Sequence, residues 1–212
     1  MSTDIFAAAG DAILKGDAAA AEEAAKRGLG EGIDPVTLIN EGFIPGINQV
    51  GDLFGSGKLF LPELILAAGA MQKATEIVNA ALPEGQGQAA GRIVVGTVAG
   101  DVHDIGKTIV VALLKANGFE VLDLGRDVPL ERFIEEADKF NADIIGTSAL
   151  LTTTMEEQRR LEEALKKADL KARYKTMVGG APVTKRWARR IGADAFAENA
   201  SEAVRLAREL VA

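Results

Sequence analysis

The chain has no cysteine, and among its 212 residues there is one histidine, one tryptophan and one tyrosine. Without thiols there can be no disulfide, no thiolate metal site and no thiol nucleophile, and a cytoplasmic setting is the default expectation. No apolar run approaches the roughly 20 residues that span a bilayer. The N-terminus also lacks the basic-then-apolar order of a signal peptide, so no membrane is expected among the partners. Cations are in the minority: 24 Lys and Arg stand against 31 Asp and Glu, a formal charge of −7. That balance opposes a phosphate backbone and removes nucleic acid from the expected partners, and the shortage of Trp and Tyr leaves few platforms for base stacking. What the chain does have is apolar material, 48% of its residues, enough for a sizeable core in one or two domains.

The pattern changes near residue 90. Residues 1–82 carry helical periodicity and no convincing strand. Thr3 or Asp4 can cap a first helix ending near Gly16, and Asp17 a second, alanine-rich one that stops at Gly28 or Gly30. Asp34-Pro35 is a cap followed by the imide residue favoured at the first helical position. The third helix it opens sets Val36, Ile39, Phe43, Ile47, Val50 and Phe54 along one side, and Pro45, which removes an internal donor, is expected to kink or interrupt it. Gly55-Ser56-Gly57-Lys58 ends that helix, and Phe60-Leu61-Pro62-Glu63 starts a fourth reaching about Ala81. Four helices with short connections predict a small antiparallel bundle. Residues 83–91 are polar, small and glycine-rich, and read as a linker.

From residue 92 to 212, apolar runs at Ile93–Ala99, Phe119–Leu124, Ala142–Thr147, Tyr174–Gly179 and Ala193–Ala197 alternate with helical periods. The latter fall at Ile105–Ala116, Leu130–Phe140, Thr154–Ala168, Val183–Ile191 and Ser201–Val211. Five β-then-α units with near-continuous apolar strands predict an α/β fold, a doubly wound five-stranded parallel sheet. The flavodoxin-like order 2-1-3-4-5 is the economical choice, and it puts the switch point beside strands one and three.

Ligands bind such sheets in the crevice outside the carboxyl ends of the strands, where the order reverses. The loop leaving strand one is Gly100-Asp101-Val102-His103-Asp104-Ile105-Gly106-Lys107, which carries the single imidazole. Two more loops should meet it there: the hydroxyl-rich Gly146-Thr147-Ser148-Ala149-Leu150-Leu151-Thr152-Thr153-Thr154 and the turn Gly179-Gly180-Ala181-Pro182. Glycine at a strand end lets a planar or bulky ligand approach the backbone, and hydroxyls supply neutral donors for a polar or phosphate-bearing group. Each feature has an ordinary reading by itself: a lone His is more often a satisfied surface residue, Ser and Thr cap helices, and Gly-Gly is a turn. Three of them at one edge together mark a candidate site.

Asp101-x-His103-x-x-Gly106, then Ser148-x-Leu150, then Gly179-Gly180 closely resemble the cobalamin-binding domain of methionine synthase, the B12-dependent mutases and the corrinoid methyltransferase proteins. Order, approximate spacing and expected loop placement all agree. The likeness extends to Val50-Gly51-Asp52-Leu53-Phe54 and Lys58-Leu59-Phe60-Leu61-Pro62-Glu63, which are similar to the helical cap preceding that domain in methyl-transferring members. It implies a cap at 1–82, a linker at 83–91 and a Rossmann-like cobalamin-binding domain at 92–212. The implied cofactor is cobalamin or a related corrinoid, with a methyl-cobalt form in its cycle. His103 would displace the cofactor's own lower base and bind cobalt from below, within the loop Gly100, Asp101, Val102, Asp104, Ile105 and Gly106. An imidazole suits a mid-row transition metal, and a metal-bound histidine usually gives its other N–H to a carboxylate, for which Asp101 is placed. Gly106, Gly179 and Gly180 would leave room for the displaced nucleotide tail, while Ser148, Leu150 and Thr152 line it. Thr154 stands where methionine synthase has a serine completing a His–Asp–hydroxyl relay. Asp104 is equally well read as a cap for the following helix. Phe54 and Leu61 align with residues covering the upper, methyl-bearing face, with simple bundle core as the other reading for both.

With His103 committed to the metal, no second imidazole is left for acid–base work. The resemblance therefore implies a methyl carrier, a subunit and not a complete enzyme. A substrate:corrinoid methyltransferase would methylate the cobalt, a corrinoid:acceptor methyltransferase would pass the group to a thiol or tetrahydrofolate-type acceptor, and a reductive activase would restore the reduced metal. The cap must swing aside for each partner, a hinge motion that a glycine-rich linker permits. Methanol, methylamines, betaine and aryl methyl ethers all remain open as donors. The competing readings are the B12-binding subunit of a mutase, which the methyl-carrier type of cap opposes, and a B12-dependent regulator, which the acidic charge and short chain oppose. A non-corrinoid flavodoxin-like or response-regulator-like module would purify without red or pink colour.

Overall fold

The computed structural model describes residues 2–81 and 90–212, so nearly all of the expected linker at 83–91 lies outside the described residues. The chain divides into two compact units, one of N-terminal helices and one α/β.

In the helical unit α1 spans Ser2–Leu14, α2 Ala18–Gly30, α3 Pro35–Thr37, a π-helical turn Leu38–Phe43, α4 Ile44–Gly55 and α5 Leu61–Ala80. Asp17 and Asp34 cap as expected, accepting from the N–H groups of Ala20 at 3.0 Å and Thr37 at 2.8 Å. Thr3 and Asp4 do not: α1 already runs from Ser2, which leaves Asp4 in its first turn, where a negative charge suits the helix dipole. The Glu63 carboxylate accepts the Phe60 N–H at 2.7 Å and closes the start of α5.

The expected interruption at Pro45 takes the form of the π-helical turn. Ile44 N–H reaches back to the Ile39 carbonyl, and Pro45, having no N–H, enters α4 at its start. One extra residue in a turn rotates what precedes it by about 100°. Leu38 therefore meets the core, and Val36 is 49% exposed, which corrects the predicted stripe at its N-terminal end. Phe43, Ile47 and Val50 are buried as the spacing requires.

In the α/β unit β1 spans Arg92–Thr97, α6 Ile105–Ala116, β2 Glu120–Asp123, α7 Leu130–Phe140, β3 Ile144–Ser148, α8 Met155–Lys167, β4 Lys175–Gly179, α9 Lys185–Ile191, β5 Ala195–Phe196 and α10 Ala200–Val211. The strands are parallel in the expected order β2-β1-β3-β4-β5. Strand β5, at the edge, is shorter than its apolar run. Right-handed crossovers put α6 on one face and α7 to α9 on the other. On that second face Phe133 of α7, Leu161 and Leu165 of α8 and Tyr174 pack with Val94 and Ile145. The register pairs Thr97 with Ser148 and Ser148 with Gly179. The ends of β1, β3 and β4 thus lie level, and the loops that follow open from one edge.

Candidate functional site

The His103 loop is anchored from below. Thr97, buried at the end of β1, donates its hydroxyl to the His103 carbonyl at 3.0 Å, turning the chain back over the strand. Asp101 is fully buried. Its Oδ1 accepts the His103 N–H at 3.1 Å and lies 2.8 Å from His103 Nδ1. Its Oδ2 accepts the N–H groups of Leu150 at 2.7 Å and Leu151 at 3.3 Å, and the Thr154 hydroxyl at 2.7 Å. Burial pushes this carboxyl toward its neutral form, but the hydrogen bonds from Thr154, Leu150 and His103 outweigh burial and hold it well below the usual carboxylate range.

Asp101 is therefore an anion and can only accept. Nδ1 of His103 must then carry a proton, so that Nε2 is the ring nitrogen left to offer an unshared pair to a ligand. The His103 side chain is 48% exposed, and Nε2 meets no hydrogen-bond partner among the described residues. Thr154, just before α8, makes no side-chain bond to that helix. Its hydroxyl serves Asp101, so the arrangement expected of a His–Asp–hydroxyl relay is present.

Around the imidazole Val102 and Ile105 are 62% and 72% exposed, and Leu150 and Leu151 40% and 43%. Apolar side chains clustered in solvent around a polar centre mark a binding surface. The glycines differ among themselves. A Cβ on Gly106 would meet nothing within 4 Å, and one on Gly179 would stand 3.4 Å from the Ala197 carbonyl oxygen. Gly180, at φ 124°, has no such room, because a Cβ there would run into the Ala149 backbone; the protein's own loop packing already demands glycine. Ser148 is half-buried at the level of Thr97 and Gly179, and Thr152 is exposed. The Asp104 carbonyl accepts the Thr108 N–H at 2.8 Å, and its carboxylate faces Arg126 at 3.6 Å. Phe54 in the last turn of α4 and Leu61 at the start of α5 are each half-buried in the helical unit.

Sequence reasoning missed several supports. Gln158, buried on α8, donates to the carbonyls of Thr147 and Gly179, both at 3.2 Å, and accepts the Trp187 indole N–H at 3.1 Å. It ties the ends of β3 and β4 to α9. Lys107, buried in the first turn of α6, reaches both Asp123 oxygens at 2.5 Å and ties that turn to the end of β2. The loop after β2 also packs beside the His103 loop. That placement was implied by the order 2-1-3, which puts β2 next to β1.

Among the described residues no cluster of three or more His, Asp or Glu could cage a metal ion. One outward imidazole braced by a carboxylate offers a single ligand, which would suit a metal whose other positions a macrocycle fills, and the apolar rim would suit a broad flat ring. These residues fit a corrinoid.

The chain belongs to the B12-binding family: residues 91–207 match the family described as B12 binding domain, and residues 5–79 match a second family of the same description. Within it the similarity is to corrinoid proteins. The chain is 50% identical to dimethylamine corrinoid protein 2 of Methanosarcina mazei, over 100% of this chain and 95% of that one. It is 46% identical to trimethylamine corrinoid protein 2 of Methanosarcina acetivorans, over 95% and 94%. A chain in the crystal structure of the methanol:cobalamin methyltransferase complex from Methanosarcina barkeri superposes with a TM-score of 0.82 at 30% identity, over 100% of this chain and 81% of that one. The chain binds a corrinoid. No described helix is long and apolar enough to cross a membrane.

Proposed function

We propose that this chain carries a methyl group on the cobalt of its corrinoid, accepting it from a methylamine:corrinoid methyltransferase and delivering it to a second methyltransferase that serves a thiol or tetrahydrofolate-type acceptor. A reductive activase keeps the metal usable. The observation that supports this reading is the outward Nε2 of His103 at the head of the Asp101–Thr154 relay. The bound cobalt supplies the nucleophile and the atom that holds the methyl group. Everything else falls to side chains. His103 would supply a protein ligand to the cobalt; Asp101 holds the proton on Nδ1 and raises the basicity of the ring; Thr154 fixes the second carboxylate oxygen. Residues 92–212 hold the corrinoid, with Ser148, Leu150, Thr152, Gly106 and Gly179 along the path of its tail. Phe54 and Leu61 are the helical unit's candidates for contact with the methyl-bearing corrinoid.

The donor assignment is supported by the relatives, whose names carry dimethylamine and trimethylamine at 50% and 46% identity, against 30% for the methanol protein. The test is to load the chain with cobalamin, reduce it, and mix it in turn with dimethylamine, trimethylamine and methanol and their own methyltransferases, following cobalt methylation by visible absorbance. Methylation with an amine pair and none with methanol is expected. Methylation by the methanol pair alone would overturn the amine assignment, and methylation by none of them the carrier reading.

A further inference from the structure

The turn between β2 and α7 contains no residue of the relay, yet it grips the relay's backbone through one side chain. Asp127 stands at φ 52°, in the left-handed region that Asp and Asn tolerate because a short polar side chain can bond locally. From there it makes two bonds of opposite sense to consecutive residues. Its Oδ1 accepts the Gly100 N–H at 2.7 Å, and its own N–H donates to the Asp101 carbonyl at 3.0 Å. Flanking residues complete a strap: Thr97 N–H donates to the Gly125 carbonyl and Val128 N–H to the Thr97 carbonyl, each at 3.0 Å, while Arg126 faces Asp104 at 3.6 Å. Gly100, itself at φ 76°, and Asp101 are thereby bracketed by a single residue. Asp101 is the residue whose Oδ1 holds His103 Nδ1.

We propose that Asp127 is a positioning residue for the metal-binding imidazole: by gripping Gly100 and Asp101 it aims Asp101 Oδ1 at Nδ1 and so sets the direction of Nε2. The inference rests on His103 being the ligand to cobalt. A residue that merely stabilised the turn would change melting temperature and leave the ring alone, so the test reads the ring directly. Asp127→Asn keeps both the acceptor and the tolerance for positive φ. Asp127→Gly keeps the turn and removes the acceptor. With one histidine in the chain, ¹⁵N-histidine labelling of the corrinoid-free protein gives signals from His103 alone.

A single tautomer with a slowly exchanging Nδ1–H is expected in the native chain and in Asp127→Asn. In Asp127→Gly a mixture of tautomers and fast exchange are expected, with corrinoid affinity reduced about 10-fold, the low end for partners beyond the ligand itself. Native ring signals and native affinity in a folded Asp127→Gly protein, whether or not its melting temperature falls, would overturn the proposal. Should the ring signals shift as expected while His103→Ala leaves the Co(II) spectrum of the loaded protein unchanged, Asp127 still aims the ring, but the ligand assignment fails and with it the claim that the aimed ring serves cobalt.

Discussion

Replacing Asp101 by asparagine will lower corrinoid affinity about 10- to 100-fold and the unfolding midpoint by about 5–10 °C. The carboxylate accepts on both oxygens: Oδ1 from the N–H and Nδ1 of His103, Oδ2 from Leu150, Leu151 and Thr154. An amide accepts on one oxygen and donates from the other position. If its NH2 takes the Oδ1 position, it opposes the His103 N–H and forces Nδ1 to accept, which moves the ring proton to Nε2 and blocks ligation. If it takes the Oδ2 position, Thr154 can rotate to accept, but the Leu150 N–H loses its partner. Either way a buried donor goes unmatched, at about 1–3 kcal/mol, and a buried charged acceptor is lost with it.

The effect carries a sign in pH. Because the folded protein holds the Asp101 carboxyl below its ordinary range, its contribution to stability is complete above that range and is lost as the pH falls through about 4 toward the folded value. Asparagine has no such dependence. The gap in melting temperature between the native chain and Asp101→Asn should therefore be largest near neutral pH and narrow below about pH 4. Thermal denaturation followed by circular dichroism across that range checks it, and a gap independent of pH would show that the carboxylate is not the source.

The second large effect separates two glycines that look alike in the sequence. Gly180→Ala will destabilise the corrinoid-free chain by about 3 kcal/mol or more, because the added Cβ meets the Ala149 backbone at a φ that alanine resists. Relief requires moving the loop after β3, which carries the Leu150 and Leu151 N–H groups to Asp101, so corrinoid affinity should fall as well. Gly106→Ala should do the opposite to the free chain. Its Cβ points into open space, and in the first turn of α6 alanine gains about 0.5 kcal/mol over glycine. Loss should appear only when the corrinoid is added, since Gly106 stands on the proposed path of its tail. A melting curve of the corrinoid-free protein and a binding titration for each of the two variants give four numbers. Equal stability of Gly180→Ala and the native chain would remove the loop contact, and native affinity in Gly106→Ala would remove the clearance role.

The α/β unit could be read from the chain with few errors because its signals are local. The periods at Ile105–Ala116 and Leu130–Phe140 are the helices α6 and α7 to the residue, and the alternation of apolar runs with helical periods leads to the sheet order and hence to the edge where His103 lies. Asp101 and His103, two positions apart, pair within one turn. Thr154 joins Asp101 from 53 positions away, and only the family resemblance pointed to it. What escaped reading depends on segments meeting in space. The left-handed conformation of Asp127 is imposed by the loop it grips. The need for glycine at 180 comes from Ala149. Val36 turns outward because a π-helical turn before Pro45 rotates the helix ahead of it. Gln158 and Lys107 sit at helix positions where an apolar period has nothing to say about polar partners.

The most direct test of the central claim is the electron paramagnetic resonance spectrum of the Co(II) form in the native chain and in His103→Ala. The account predicts nitrogen superhyperfine splitting in the native chain that follows ¹⁵N labelling of its single histidine and disappears in His103→Ala. A splitting that ignores the label, or that survives the substitution, would mean that the cobalt takes its lower ligand from elsewhere.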